Sequence, residues 1–216
     1  MTKTRRPPDA PTPARLRRSV DLALRNDLTP DEVVVPMLEA LARAEPPGSA
    51  SWVFAQQKLA ELVVETQPWR AAVAARAAMA HAPDDEAPKA TLGLALTLLG
   101  HYRAAARAYR AAVAVAPGNP WYAHNLGHLL DIALDEPHEA VALLTRAYQV
   151  EPHLEIAASL AHALGRTGCI DQARELLSLA LGDARPNAEH AALMAWLDRG
   201  APESGALKPH RRAELM

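Results

Sequence analysis

Prolines recur at positions 83, 117, 152 and 186, at spacings of 34, 35 and 34 residues. Two series of small residues keep step with them: Ala71, Ala105, Ala140 and Ala173, then Ala78, Ala112, Ala147 and Ala180. A period near 34, with two apolar-periodic segments per unit and a Pro closing each, constrains the chain to a stack of helix-turn-helix units. Small residues one or two turns apart let neighbouring helices approach closely, and a larger residue between them fills the groove that is left. Tyr109, Leu144 and Leu177 are those larger residues.

Two units carry the pattern in full. Leu92-Gly93 is followed by Ala105, Tyr109, Ala112 and Pro117; the next unit repeats it as Leu126-Gly127, Ala140, Leu144, Ala147 and Pro152. With these residues the chain resembles the tetratricopeptide repeat family, over about Trp52 to Pro186. The outer units are degenerate, with Lys58-Leu59 and Leu160-Ala161 at the Leu-Gly place, and the third has one extra residue in Asp135-Glu136-Pro137. The expected fold is all-α: an antiparallel helix-pair array, an α-solenoid, with repeats at 52–85, 86–119, 120–153 and 154–186.

Helices are expected near Ser51 to Glu65, Trp69 to His81, Glu86 to Leu99, Tyr102 to Val115, Pro120 to Ala133, Pro137 to Val150, Leu154 to Thr167 and Ile170 to Leu181. Asn187 to Arg199 would cap the open end of the stack, and 200–216 reads as a flexible tail. Upstream, 1–13 is expected to be disordered and 14–47 to form a helical extension, ended by Glu45-Pro46-Pro47-Gly48-Ser49. Its first helix, Ala14 to Arg25, has a basic face suited either to solvent or to an acidic partner. Thr29-Pro30-Asp31-Glu32 is a capping box, but Pro36 follows it, so the second helix either kinks there or starts there.

Composition excludes several function classes. Of 216 residues, 50% are hydrophobic and 4% aromatic, which suits close-packed helices rather than strands. A net charge of -2 gives no electrostatic case for nucleic-acid binding. The lone Cys169 excludes an intramolecular disulfide. No apolar run is long enough to span a membrane, and Arg5-Arg6 lacks a following apolar segment, so the chain reads as cytoplasmic; its Ala, Arg and Pro content fits a bacterial source. Phosphate loops, nucleophile elbows and zincin His pairs are missing, so no catalytic residues and no cofactor are expected.

The resemblance implies that the first helix of each unit lines a concave, peptide-binding groove. On this chain those places hold Val53, Gln56, Ala60 and Val63; then Ala87, Ala90, Leu94 and Thr97; then Trp121, His124, His128 and Asp131; then Glu155, Ala158, His162 and Arg166. Asn125 adjoins the third set. The carboxylate clamp of some family members does not carry over, because Gln56 and Ala60 stand at its first places. His124, His128 and Asp131 share one helical face, with His162 on the neighbouring helix. Three readings stay open for this cluster: solvated polar residues, a polar patch binding a partner's backbone or carboxylate, or a metal site of His124, His128, His162 and Asp131. Trp52, Trp69 and Trp196 are expected to pack structurally, and Trp121 to border the groove. The expected function is a non-catalytic scaffold or adaptor for a peptide or protein partner, with a His-lined metal or small-ligand protein and a homo-oligomerisation module as rivals.

Overall fold

The computed structural model describes residues 12–26, 31–182 and 186–202. Among them are eleven α-helices and no strand. The chain divides into two compact units, 1–95 and 96–216. Residues 1–11 of the segment expected to be disordered, residues Thr29 and Pro30 of the capping box, and the tail beyond 202 lie outside the described residues; Thr12 and Pro13, expected in the disordered segment, cap and open the first helix.

The first unit holds α1 (Pro13–Arg25), α2 (Asp31–Ala44), α3 (Ala50–Val63), α4 (Pro68–His81) and most of α5 (Ala87–Leu98). Hydroxyl caps start two of these helices: Thr12 accepts from the Arg15 amide at 3.3 Å, and Ser49 from the Trp52 amide at 3.2 Å. The core of α1, α2 and α3 is Val20, Val34, Leu38, Leu41 and Ala55, with Phe54 at its border. The Arg17 guanidinium lies 3.4 Å from the centroid of the Phe54 ring, so part of the basic face of α1 is used inside the protein. Between α2 and α4, Arg70 pairs with Glu39.

Pro36 sits inside α2, which neither stops nor begins there. An interior proline costs about 3 kcal/mol. Val34, Leu38 and Leu41 are buried on both sides of it, and each such side chain contributes roughly 1.5–3 kcal/mol, so packing outweighs the lost hydrogen bond. Trp52 packs edge-on against His81 at 5.3 Å, as a structural residue should. Trp69 does not: it is 64% exposed on the first turn of α4, because the buried stripe of that helix is the alanine series Ala71, Ala75 and Ala78.

The second unit holds α6 (Tyr102–Val115), α7 (Pro120–Ile132), α8 (Pro137–Val150), α9 (Leu154–Arg166), α10 (Ile170–Leu181) and α11 (Ala188–Asp198). Successive helices pack on one another, and α9 also touches α7 and α11. Pro120 and Pro137 open α7 and α8, where a missing amide costs nothing, and Asn119 caps α7 through the Trp121 amide at 3.0 Å. Ala105, Ala112, Ala140, Ala147 and Ala173 are fully or almost fully buried, with Tyr109, Leu144 and Leu177 beside them in the core. Burial pushes the Tyr109 hydroxyl up to about 12, against the opposing effect of a hydrogen bond with Thr97.

Two glycines set helix spacing. A Cβ on Gly127 would stand 2.7 Å from Leu144 Cγ, so α7 and α8 meet at a distance only glycine permits. A Cβ on Gly165 would stand 2.6 Å from Trp196 Cζ3 and 2.7 Å from Leu197 Cδ2, the two buried residues by which α11 covers α9. The Trp196 indole N–H donates to the Pro202 carbonyl at 3.0 Å, which satisfies its polar edge. Gly165→Ala should therefore lower stability by about 1–3 kcal/mol, the usual range for overpacking. Chemical denaturation followed by tryptophan fluorescence will show it; unchanged stability would mean that α11 can shift without loss.

Candidate functional site

Helices α7 and α9 each present one stripe of polar and aromatic residues. On α7 it runs Trp121, His124, His128 and Asp131, with Asn125 beside His124; on α9 it runs Glu155, Ser159, His162 and Arg166, each series at three- and four-residue steps. Where the two stripes meet, they form two linked clusters.

The first is centred on a serine. Ser159 Oγ lies 3.0 Å from His124 Nε2 and 3.2 Å from His128 Nδ1, within hydrogen-bond reach of both. A hydroxyl has one proton, so it can donate to one imidazole and must accept from the other. His124 is buried and its Nδ1 has no partner; charging the ring would place an N–H there with nothing to receive it. Desolvation accordingly pushes the His124 imidazole below its ordinary value, with His128 lowering it further and Glu155 raising it. His128 is lowered too, again chiefly by desolvation, although Asp131 opposes the shift and the residue as a whole is exposed. Trp121 flanks the cluster, edge-on to His124 at 5.6 Å and to His153 at 5.1 Å.

The second cluster is a buried ion-pair network. Asp131 is 1% exposed; its Oδ2 lies 2.5 Å from His162 Nδ1, and its Oδ1 accepts from Arg166 Nη1 at 2.9 Å. Arg166 also reaches the Asp131 carbonyl and the Asp135 carboxylate. Burial works to lower the pKa of that guanidinium, but the bond to Asp135 and the charge of Asp131 outweigh it and hold the group above its ordinary value. The His162 ring stacks on Trp196 at 4.9 Å and 20° between planes. Asp135 is in the left-handed region at φ 60°, at the turn with one extra residue, which aims its carboxylate at Arg166.

Asp131, His162 and Arg166, expected to face a partner, thus face one another. A carboxylate on the next-to-last residue of a helix, opposite a histidine and an arginine four residues apart, finds its counter-charges inside the protein. His124 is likewise interior, while Trp121 and Asn125 are half-buried and His128 and Glu155 exposed. Gln56 on α3 and Leu94 on α5 are half-buried and belong to the first unit. One nitrogen of each of His124, His128 and His162 is directed at Ser159 or Asp131, while His124 Nδ1 and His162 Nε2 are buried without a partner; among the described residues no group of three or more His, Cys, Asp or Glu side chains could hold a metal ion. Ser159 lies in mid-helix, where α9 uses its own amides, so the Ser–His contact lacks the backbone oxyanion donors of an acyl-transfer site. Sequence reasoning missed Ser159, having placed Ala158 in the groove; the signal was its spacing of four from Glu155 and three from His162. Asp135 and Trp196 as partners were missed because turns and the end helix bring them in.

Removing the central carboxylate by Asp131→Ala should cost about 3–5 kcal/mol, as expected when one partner of a buried pair is lost. Urea denaturation will measure it. Folding also lowers the pKa of His124 and His128, so the unfolded chain binds more protons as pH falls below about 6.5. Stability linked to these two groups should therefore be present at pH 7.5 and decline towards pH 5.5. A His124→Gln, His128→Gln variant should have a flatter dependence of melting temperature on pH; an unchanged slope would assign it elsewhere.

Comparisons with known proteins agree with this architecture. Residues 131–197 match the family model described as the tetratricopeptide repeat. No curated protein sequence matches the chain. Among solved structures, MamA from Desulfovibrio magneticus RS-1, as its segment from residue 41 to the end, superposes with a TM-score of 0.63 at 17% identity, covering 87% of this chain and 95% of that one. TTC0263, a thermophilic TPR protein of Thermus thermophilus, gives 0.59 at 17%, covering 85% and 99%. YrrB, described as a TPR protein with an unusual peptide-binding site, gives 0.60 at 16%, covering 71% and 80%. At these identities the likeness is one of fold.

Proposed function

We propose that the chain, which matches the tetratricopeptide-repeat model over residues 131–197 and shares the fold of such proteins, is a non-catalytic scaffold or adaptor that binds a peptide or protein segment on the α7–α9 face. The observation that carries this reading is the division of labour in the two stripes. Asp131, His162 and Arg166 lock α7 to α9, which leaves Trp121, Asn125, His128 and Glu155 as a preorganised outer row. Trp121 offers an apolar face held by His124 and His153. His128 is anchored through Nδ1 to Ser159, and Glu155 presents a carboxylate.

An extended segment laid along this row would place an apolar side chain on Trp121 and hydrogen-bond its amides to Glu155 and its carbonyls to Asn125 and His128. The helices are ordered beforehand, so only the partner loses conformational freedom on binding. YrrB, similar in fold, is described as having a peptide-binding site, which supports the class of ligand and says nothing about its sequence. We read the protein as acting in the cytoplasm; no helix among the described residues is long and apolar enough to cross a membrane.

Peptides selected by display against the purified chain would test the assignment. Trp121→Ala should weaken their binding by about 2 kcal/mol and His128→Ala by about 1 kcal/mol, with the helical circular dichroism preserved. Peptides that bind both variants as well as the native chain would place the interaction elsewhere. Arg166 is unsuitable for this test, because its loss would loosen the α7–α9 joint at the same time.

A further inference from the structure

A cleft of about 550 Å³ opens at the edge of the second unit, between the turn that precedes α6 and the turn between α7 and α8. Gly100, Tyr102, Ala104, Ala133 and Leu134 form its floor and walls, and His101, Arg103, Arg107 and Glu136 supply its polar groups. None of these residues belongs to the α7–α9 face described above.

The repeat explains why the cleft is open. One unit further on, the corresponding turns are joined by Arg166, which reaches Asp131 and Asp135. Counting back 34 residues, Arg166 corresponds to Ile132 and Asp131 to Thr97, so that charged connection cannot form at this junction. What the cleft has instead is an excess of positive charge. Arg103 and Arg107 are exposed, four residues apart on one face of α6, and pair with no carboxylate among the described residues. Arg110, next along that face, is occupied by Glu139 at 2.9 Å and lies 3.9 Å from Glu136, so the one acid of the cleft already has a cation.

We propose that this cleft is a second binding site, for an acidic peptide segment whose carboxylates pair with Arg103 and Arg107. Two guanidiniums one helical turn apart, about 6 Å between their Cβ atoms, suit two acidic side chains of one segment, each taken in bidentate fashion. The apolar wall of Ala104, Ala133 and Leu134 accommodates an aliphatic side chain between them. A bare anion would gain little there, since a cleft open to water screens a single charge pair and only a segment spanning both cations covers the wall.

The probe is a fluorescein-labelled peptide amide, Glu-Leu-Glu-Glu-Leu-Glu, titrated by fluorescence anisotropy against the full chain at low salt. A matched peptide with Gln for each Glu, and inorganic phosphate as competitor, complete the set. Binding of the acidic peptide should fall at least tenfold in Arg103→Gln, Arg107→Gln and stay within twofold in Arg76→Gln, an exposed cation in the first unit. Arg103→Glu, Arg107→Glu should transfer preference to the corresponding Lys peptide. Both pairs of substitutions are exposed, so circular dichroism should be unaltered. No saturable binding by the native chain, equal binding by the double variant, or full displacement by millimolar phosphate would overturn the proposal. Because the probe and the variants differ from those that test the α7–α9 face, either reading can fail alone.

Discussion

Close approach between packed helices is the condition on which the second unit depends. At the α7–α8 crossing, Gly127 leaves no room for a methyl group beside Leu144, and at the α9–α11 crossing Gly165 leaves none beneath Trp196. The buried alanines on either side of Tyr109 and Leu144, and Ala173 one turn before Leu177, repeat the arrangement. Helices packed over small residues exclude water from the seam between them. That exclusion gives the polar residues of α7 and α9 their character, since a carboxylate or imidazole placed in such a seam must find partners within the protein.

The Asp131 carboxylate meets that demand, while His162, paired through Nδ1, keeps its Nε2 without a partner. The carboxylate has lost its water and takes a histidine and an arginine in exchange, while Arg166 extends the connection to the Asp135 turn. A buried ion pair of this kind is weak evidence for net stability, because desolvation offsets most of the attraction. Its effect on geometry is firmer: the charges meet in one register only, and that register puts Ser159 between His124 and His128. The outer row of Trp121, His128 and Glu155 inherits its placement from this inner one.

The two edges of the second unit then differ for a reason written into the repeat. Where Asp131 and Arg166 occur, adjacent turns are tied together; where Thr97 and Ile132 replace them, a cleft with two unmatched arginines is left. Repetition fixes the backbone of a unit, and departures from it at single positions decide what each junction can do.

The period of 34 residues, the proline after each second helix and the alanine series determined the all-α repeat fold, because helix length, turn position and small-residue contacts are local properties that spacing records. The stripe from Trp121 to Asp131 was legible for the same reason: residues three and four apart on one helix share a face whatever surrounds them. Direction was not legible. Whether Asp131 and His162 turn outward or towards each other depends on the neighbouring helix and on Trp196 and Asp135, which lie far off in sequence. Trp69 and Pro36 teach the same lesson. Trp69 is exposed because alanines occupy the buried stripe of α4, and Pro36 stays inside a helix because Val34, Leu38 and Leu41 find a core to enter. Sequence by itself determined which residues share a face; only the tertiary structure decided which of those faces meets water, because burial is a property of the pair of helices and not of either one.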